Sequence, residues 1–336
     1  MREAMLYERL EELRVRCNLC AHRCLIKNNK RGICGVRQNQ EGTLQSLVYG
    51  RAIARHVDPI EKKPLFHFQP GTRSYSIATV GCNFRCRFCQ NADISQMPRD
   101  FNRIIGEDFL PADVVAAARR SGCSSVSYTY TEPTIFFEYA YDTARLAQAA
   151  GLKNVFVSNG YMTPEALEVI QPYLDAANVD LKAFSEKFYQ EQCGGKLAPV
   201  LESLNKIKDM GIWLEVTTLV IPQLNDSEKE LRNIARFIRS LGPETPWHVS
   251  RFHPTYNLTD RASTPVAALQ RAREIGLQEG LHYVYTGNIP GDEGENTFCH
   301  ACGQLLIDRF GFTTARYNIK HGLCPWCETQ VAGVEM

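Results

Sequence analysis

The sequence has no apolar run near the roughly 20 residues that a membrane-spanning helix needs. Its first residues, MREAMLYERLEELRVR, are charged and amphipathic, unlike a signal peptide, so a cytoplasmic protein is expected. An excess of charge is also missing: 38 Lys and Arg stand against 37 Asp and Glu. That balance gives no electrostatic reason to expect nucleic acid or an anionic membrane as partner. There is no internal repeat and no low-complexity tract, so a solenoid is not expected.

Cysteine, by contrast, is abundant: thirteen in 336 residues. In a reducing compartment so many thiols point to metal ligation before disulfides. They fall into three groups and two singles: Cys17, Cys20, Cys24, Cys34; Cys82, Cys86, Cys89; Cys299, Cys302, Cys324, Cys327; and Cys123 and Cys193 alone. A closed tetrahedral site takes four protein ligands, whereas a reactive centre keeps a position open. The group of three is therefore the expected reactive one, and the two groups of four are expected to be structural.

The last group, CHAC and CPWC, has the paired-knuckle spacing of a zinc ribbon, with Gly303 in the turn. A zinc staple suits a segment too short to form its own core. The first group, CNLCAHRC followed by GICGVR, fits either a four-thiolate zinc site or an auxiliary iron–sulfur cluster, and its Cys-Gly knuckle favours zinc. His22 lies within it and reads as a solvent-facing loop residue.

From Ser74 onward short β-branched or aromatic runs alternate with helical patterns: SYSIATV, SSVSYTY, NVFVSN, NVDLK, LEVTTLVI, HVSRF and YVYTGN are the expected strands. Helices are expected from Pro111 to Gly122 and from an Asp226 or Ser227 cap to Gly242. The pattern is α/β with right-handed parallel crossovers and fits an open doubly wound sheet or a partial barrel equally. Cys82, Glu132, Asn159, Lys182, Pro222 and His253 fall at or just past strand ends, the edge where such folds build active sites. Residues 35–73 read as an ordered but irregular lead-in, and the acids and glycines of TGNIPGDEGENT mark a boundary.

The loop TVGCNFRCRFCQN, with spacing Cys-x3-Cys-x2-Cys, resembles the signature of the radical S-adenosylmethionine (SAM) superfamily. That resemblance implies a [4Fe-4S] cluster on Cys82, Cys86 and Cys89, with one iron left for SAM, and places Phe88 and Asn91 near the cofactor. Cys123 as a fourth ligand is disfavoured, because it precedes a strand and should lie at the opposite end of the sheet. YTYTEP occupies the place of the superfamily's Gly-Gly-Glu stretch, with Glu132 matched and threonine replacing a glycine. SNG, DLK and RFHP look like further strand ends of glycyl radical activating enzymes, which assigns Asn159, Asp180, Lys182 and His253 to SAM.

Taken over nearly its full length, the pattern resembles the radical SAM component of the AmmeMemoRadiSam system, itself described as similar to the activating enzyme of pyruvate formate-lyase. The implied architecture is a partial (β/α)6 TIM-like barrel over residues 72–290, with an N-terminal cysteine-rich module at 1–71 and a zinc ribbon at 291–336. The implied chemistry is reductive cleavage of SAM to a 5′-deoxyadenosyl radical that abstracts hydrogen, with flavodoxin or ferredoxin as reductant. A protein substrate, such as a Memo-like or AMMECR-like partner, is expected, and glycyl radical generation is the alternative. Cys193 is either a loop thiol or a hydrogen donor at the mouth. A non-catalytic iron–sulfur or zinc-ribbon binding module is the rival of another class.

Overall fold

A computed structural model describes residues 1–289 and 291–336. Its centre is an eight-stranded sheet: β1 (Ala54–Pro59), β2 (Arg73–Ala78), β3 (Ser125–Tyr128), β4 (Lys153–Ser158), β5 (Ala176–Asp180), β6 (Trp213–Val220), β7 (Trp247–Arg251) and β8 (Val284–Gly287). Strands β2 to β8 are parallel and lie in sequence order, while β1 pairs antiparallel with β2 at one edge. The order never reverses. The sheet is therefore wound in one direction and lacks the switch point of a doubly wound fold.

All seven expected strands are present because their residues are buried on both faces, as parallel strands require. The helices between them are α1 (Pro111–Arg120), α2 (Phe137–Ala149), α3 (Pro164–Ile170), α4 (Leu197–Asp209), α5 (Glu228–Leu241) and α6 (Val266–Gln278). Pro111 opens α1, and the Ser227 hydroxyl, not Asp226, caps α5 by accepting from the Glu230 amide.

The lead-in is more regular than expected. It contributes β1 to the main sheet and a hairpin, Arg37–Gln40 with Thr43–Ser46. Further along it, Phe66 and His67 donate their amides to the buried Glu215 carboxylate at 3.0 and 2.8 Å, inside the sheet near the start of β6. At that same end the C-terminal segment adds an antiparallel sheet of β9 (Thr297–Phe298), β10 (Leu305–Phe310) and β11 (Thr313–Tyr317). Leu306, Ile307 and Ile319 pack there on Phe66, Tyr283 and Tyr285. The N-terminal segment packs at the other end, where Cys20 bridges to Met162 just past β4.

Candidate active site and metal centres

Just past β2, Gly81 turns the chain with φ +105°, and a Cβ there would stand 2.7 Å from Val36 and 3.2 Å from the Cys34 carbonyl. This close approach requires glycine. The loop then presents Cys82, Cys86 and Cys89, with Cys86 8% exposed. The Phe84 amide donates to Cys82 Sγ at 3.4 Å, and Cys89 Sγ lies 3.1 Å from the Ser95 hydroxyl. Burial, with Glu132 and Cys86 nearby, pushes the Cys82 thiol well up, so a thiolate there needs a cation to pair with.

The expected partners converge unevenly. Asn159, past β4, donates its amide to Asn83 Oδ1 at 2.7 Å and to Cys82 Sγ at 3.8 Å. Past β5, Lys182 Nζ holds Asp180 at 2.7 Å and lies 5.9 Å from the centre of the buried Phe88 ring. Burial works against the Lys182 charge, but Asp180, Cys86 and Cys193 outweigh it and hold its pKa well above the usual lysine range. Asn91 donates to the Tyr130 carbonyl at 2.7 Å. His253 stands apart: it is exposed, with Nδ1 3.1 Å from the Ser263 hydroxyl.

Glu132 is 1% exposed, and its carboxylate is filled by the chain itself. It accepts from Thr134 N and Oγ1, from Ser158 Oγ and from the Asn159 amide at 2.6 to 3.0 Å. Its work here is to tie the end of β3 to the end of β4. Tyr130, two residues before it, has φ +61°, a left-handed backbone that glycine adopts without strain. The glycine geometry is thus kept by a tyrosine, with its hydroxyl on Asp58 and its carbonyl on Asn91.

Three residues sit where sequence reasoning did not put them. His22 is half-buried, not solvent-facing: it packs on Tyr161 and donates from Nε2 to the Asn83 carbonyl at 2.8 Å. Cys193, at the end of a π-helical turn from Tyr189, is fully buried, and its carbonyl accepts from the Arg85 amide in the cysteine loop at 2.8 Å. The neighbouring thiols of Cys86 and Cys193 shift one another, Cys86 downward and Cys193 further up than burial alone would take it. Asn83 was not foreseen, and its place between Cys82 and Phe84 was the only signal for it. Cys123 is buried just before β3, at the end of the sheet opposite the loop.

The C-terminal cysteines converge tightly. All four Sγ atoms lie within 4.8 Å of one another, with Cys299–Cys327 at 3.6 Å and Cys302–Cys324 at 3.7 Å. Four thiolates around one zinc ion have edges of about 3.8 Å. Among the described residues no other three Cys, His, Asp or Glu ligand atoms gather as closely. Cys82, Cys86 and Cys89 do not gather in this way; a cubane, in which each thiolate binds a different iron, asks for a wider spread than one ion does. A cavity of about 720 Å³ lies elsewhere, between α6 and the C-terminal cysteines.

Residues 76–238 match the family described as the Radical SAM superfamily. A protein of Methanocaldococcus jannaschii described as uncharacterized is 48% identical over 320 residues, 95% of each chain. The pyruvate formate-lyase-activating enzyme of Clostridium pasteurianum is 21% identical over 179 residues, covering 51% of this chain and 71% of that one. A solved radical SAM methyltransferase from Sphaerobacter thermophilus shares the fold, with a TM-score of 0.52 at 16% identity over 71% of each chain.

Proposed function

We propose, from the premise that this chain belongs to the radical SAM superfamily, that it is an enzyme of the activating-enzyme kind acting on a protein substrate. The observation that carries this reading is the open trio of thiols past the end of β2, Cys86 buried and Cys82 and Cys89 partly so, with Asn159 and Lys182 converging on it. A [4Fe-4S] cluster and SAM, when bound there, supply a 5′-deoxyadenosyl radical able to abstract hydrogen. Every other contribution comes from the chain. Cys82, Cys86 and Cys89 hold the cluster, and the Asn159 amide steadies Cys82. Lys182, charged beside Asp180, lies next to Cys86 and offers positive charge to the anionic end of SAM. Phe88 gives the adenine an apolar neighbour, Asn91 and Glu132 fix the backbone at Tyr130 to Asn159, and His253 contributes only from the rim. Cys193 donates its S–H toward Cys86 and so moderates the electron density on that ligand.

The finer reading is the AmmeMemoRadiSam radical SAM enzyme, a cytoplasmic protein reduced by flavodoxin or ferredoxin and acting on a Memo-like or AMMECR-like partner. In this reading the chain divides at 1–71, 72–290 and 291–336, with a partial barrel in the middle and zinc on the last four cysteines. Similarity to the pyruvate formate-lyase-activating enzyme favours a second reading, in which the substrate is a glycyl radical enzyme. The test is incubation of the reconstituted, reduced protein with SAM. Formation of 5′-deoxyadenosine that Cys86→Ala abolishes supports the proposal; none from the wild type overturns it. Mass spectrometry of candidate partner proteins then separates the two substrates.

A further inference from the structure

We propose that Cys17, Cys20, Cys24 and Cys34 hold a second iron–sulfur cluster of the cubane class, and not the zinc that their knuckle favours. The chain supplies its own yardstick. The C-terminal thiols sit at 3.6 and 3.7 Å, the spacing of ligands on one ion. The N-terminal thiols line a single small cavity, yet no three of them come within 4.8 Å of one another. In this they behave like Cys82, Cys86 and Cys89.

A second observation is independent of spacing. Arg37 lines the same cavity and is 2% exposed. Its two Nη atoms are taken by Glu138 and the Met5 carbonyl, but Nε has no partner. A buried N–H without an acceptor is costly, and the sulfides of a cluster are acceptors in the place where one is missing. A guanidinium also balances the negative charge that four thiolates bring.

The cavity adjoins the reactive loop. The Cys34 carbonyl packs against Gly81, and the His22 bond ends on the residue next to Cys82. A cluster on these cysteines therefore lies one packing layer from the proposed SAM-binding one.

The test uses the full-length chain carrying Cys82→Ala, Cys86→Ala and Cys89→Ala, reconstituted anaerobically with iron and sulfide. Expected are about four iron and about one zinc per chain, with a cubane Mössbauer signature. Adding Cys20→Ser and Cys24→Ser should remove the iron and leave the zinc, with circular dichroism unchanged as the check on folding. A triple variant that is folded but holds no cluster iron overturns the proposal, whether a second zinc replaces it or nothing does. Because the SAM-binding cysteines are gone, neither result depends on the proposed reaction.

Discussion

The chain carries two groups of four cysteines at opposite ends of one sheet, and they differ in almost everything except number. The C-terminal group is compact, half exposed, and surrounded by a small apolar cluster of its own at the end where the strands begin. The N-terminal group is spread around a cavity at the end where the strands finish, and its neighbours belong to the main core. Count alone does not tell a staple from a redox site. Spacing, burial and the end of the sheet that is occupied do.

The largest expected effect breaks the comparison at its C-terminal side. If the four C-terminal cysteines hold zinc as proposed, Cys302→Ser with Cys324→Ser should remove one metal ion and unfold the segment after residue 291, because structural zinc contributes about 10 to 16 kcal/mol in small modules. Limited proteolysis should then cut the segment at least tenfold faster, with bound iron unchanged. At the N-terminal side the sharper probe is Glu138→Ala. It strands the Arg37 charge, since both side chains are 2% exposed and 2.9 Å apart, and should cost about 3 to 5 kcal/mol in denaturant melts. The exposed pair Arg23–Glu165, which also ties the N-terminal module down, should cost less than about 1 kcal/mol on Arg23→Ala.

A further contrast is in acid. His67 clasps the C-terminal tail through the Ala332 carbonyl at 2.6 Å, and burial holds its pKa down to about 4. The unfolded chain takes up this proton near pH 6.5 while the folded one resists it, so stability is full above that pH and falls as pH drops toward 4. The loss is roughly 3 kcal/mol over that window. Thermal melts at pH 7.5 and 5 should show it, and His67→Gln should flatten the dependence.

Much of this layout was legible because its determinants are local. Seven strands announce themselves as runs buried on both faces, and the C-terminal cluster of four cysteines by two Cys-x2-Cys knuckles. What stayed hidden joins residues far apart in sequence. Arg37 and Glu138 are 101 residues apart, and nothing near either one signals the pair. The edge strand β1 lay inside a proline-rich, charged lead-in whose pairing partner had to be known first. Cys193 looked like a loop thiol, and the π-helical turn from Tyr189, with the Arg85 and Arg87 amides donating to the Cys193 and Gln192 carbonyls, carries it under the loop. Tyr130 hid a glycine-like backbone behind a large side chain.

The central claim is that Cys82, Cys86 and Cys89 leave one iron to SAM while the other two cysteine groups are closed. Electron–nuclear double resonance on the reduced protein with SAM carrying ¹⁵N and ¹⁷O in its methionyl group tests it most directly. The account predicts hyperfine coupling from those nuclei to the cluster in the wild type and in Cys20→Ser with Cys24→Ser, and none in Cys86→Ala. A wild-type protein with its cluster intact and no such coupling would contradict it.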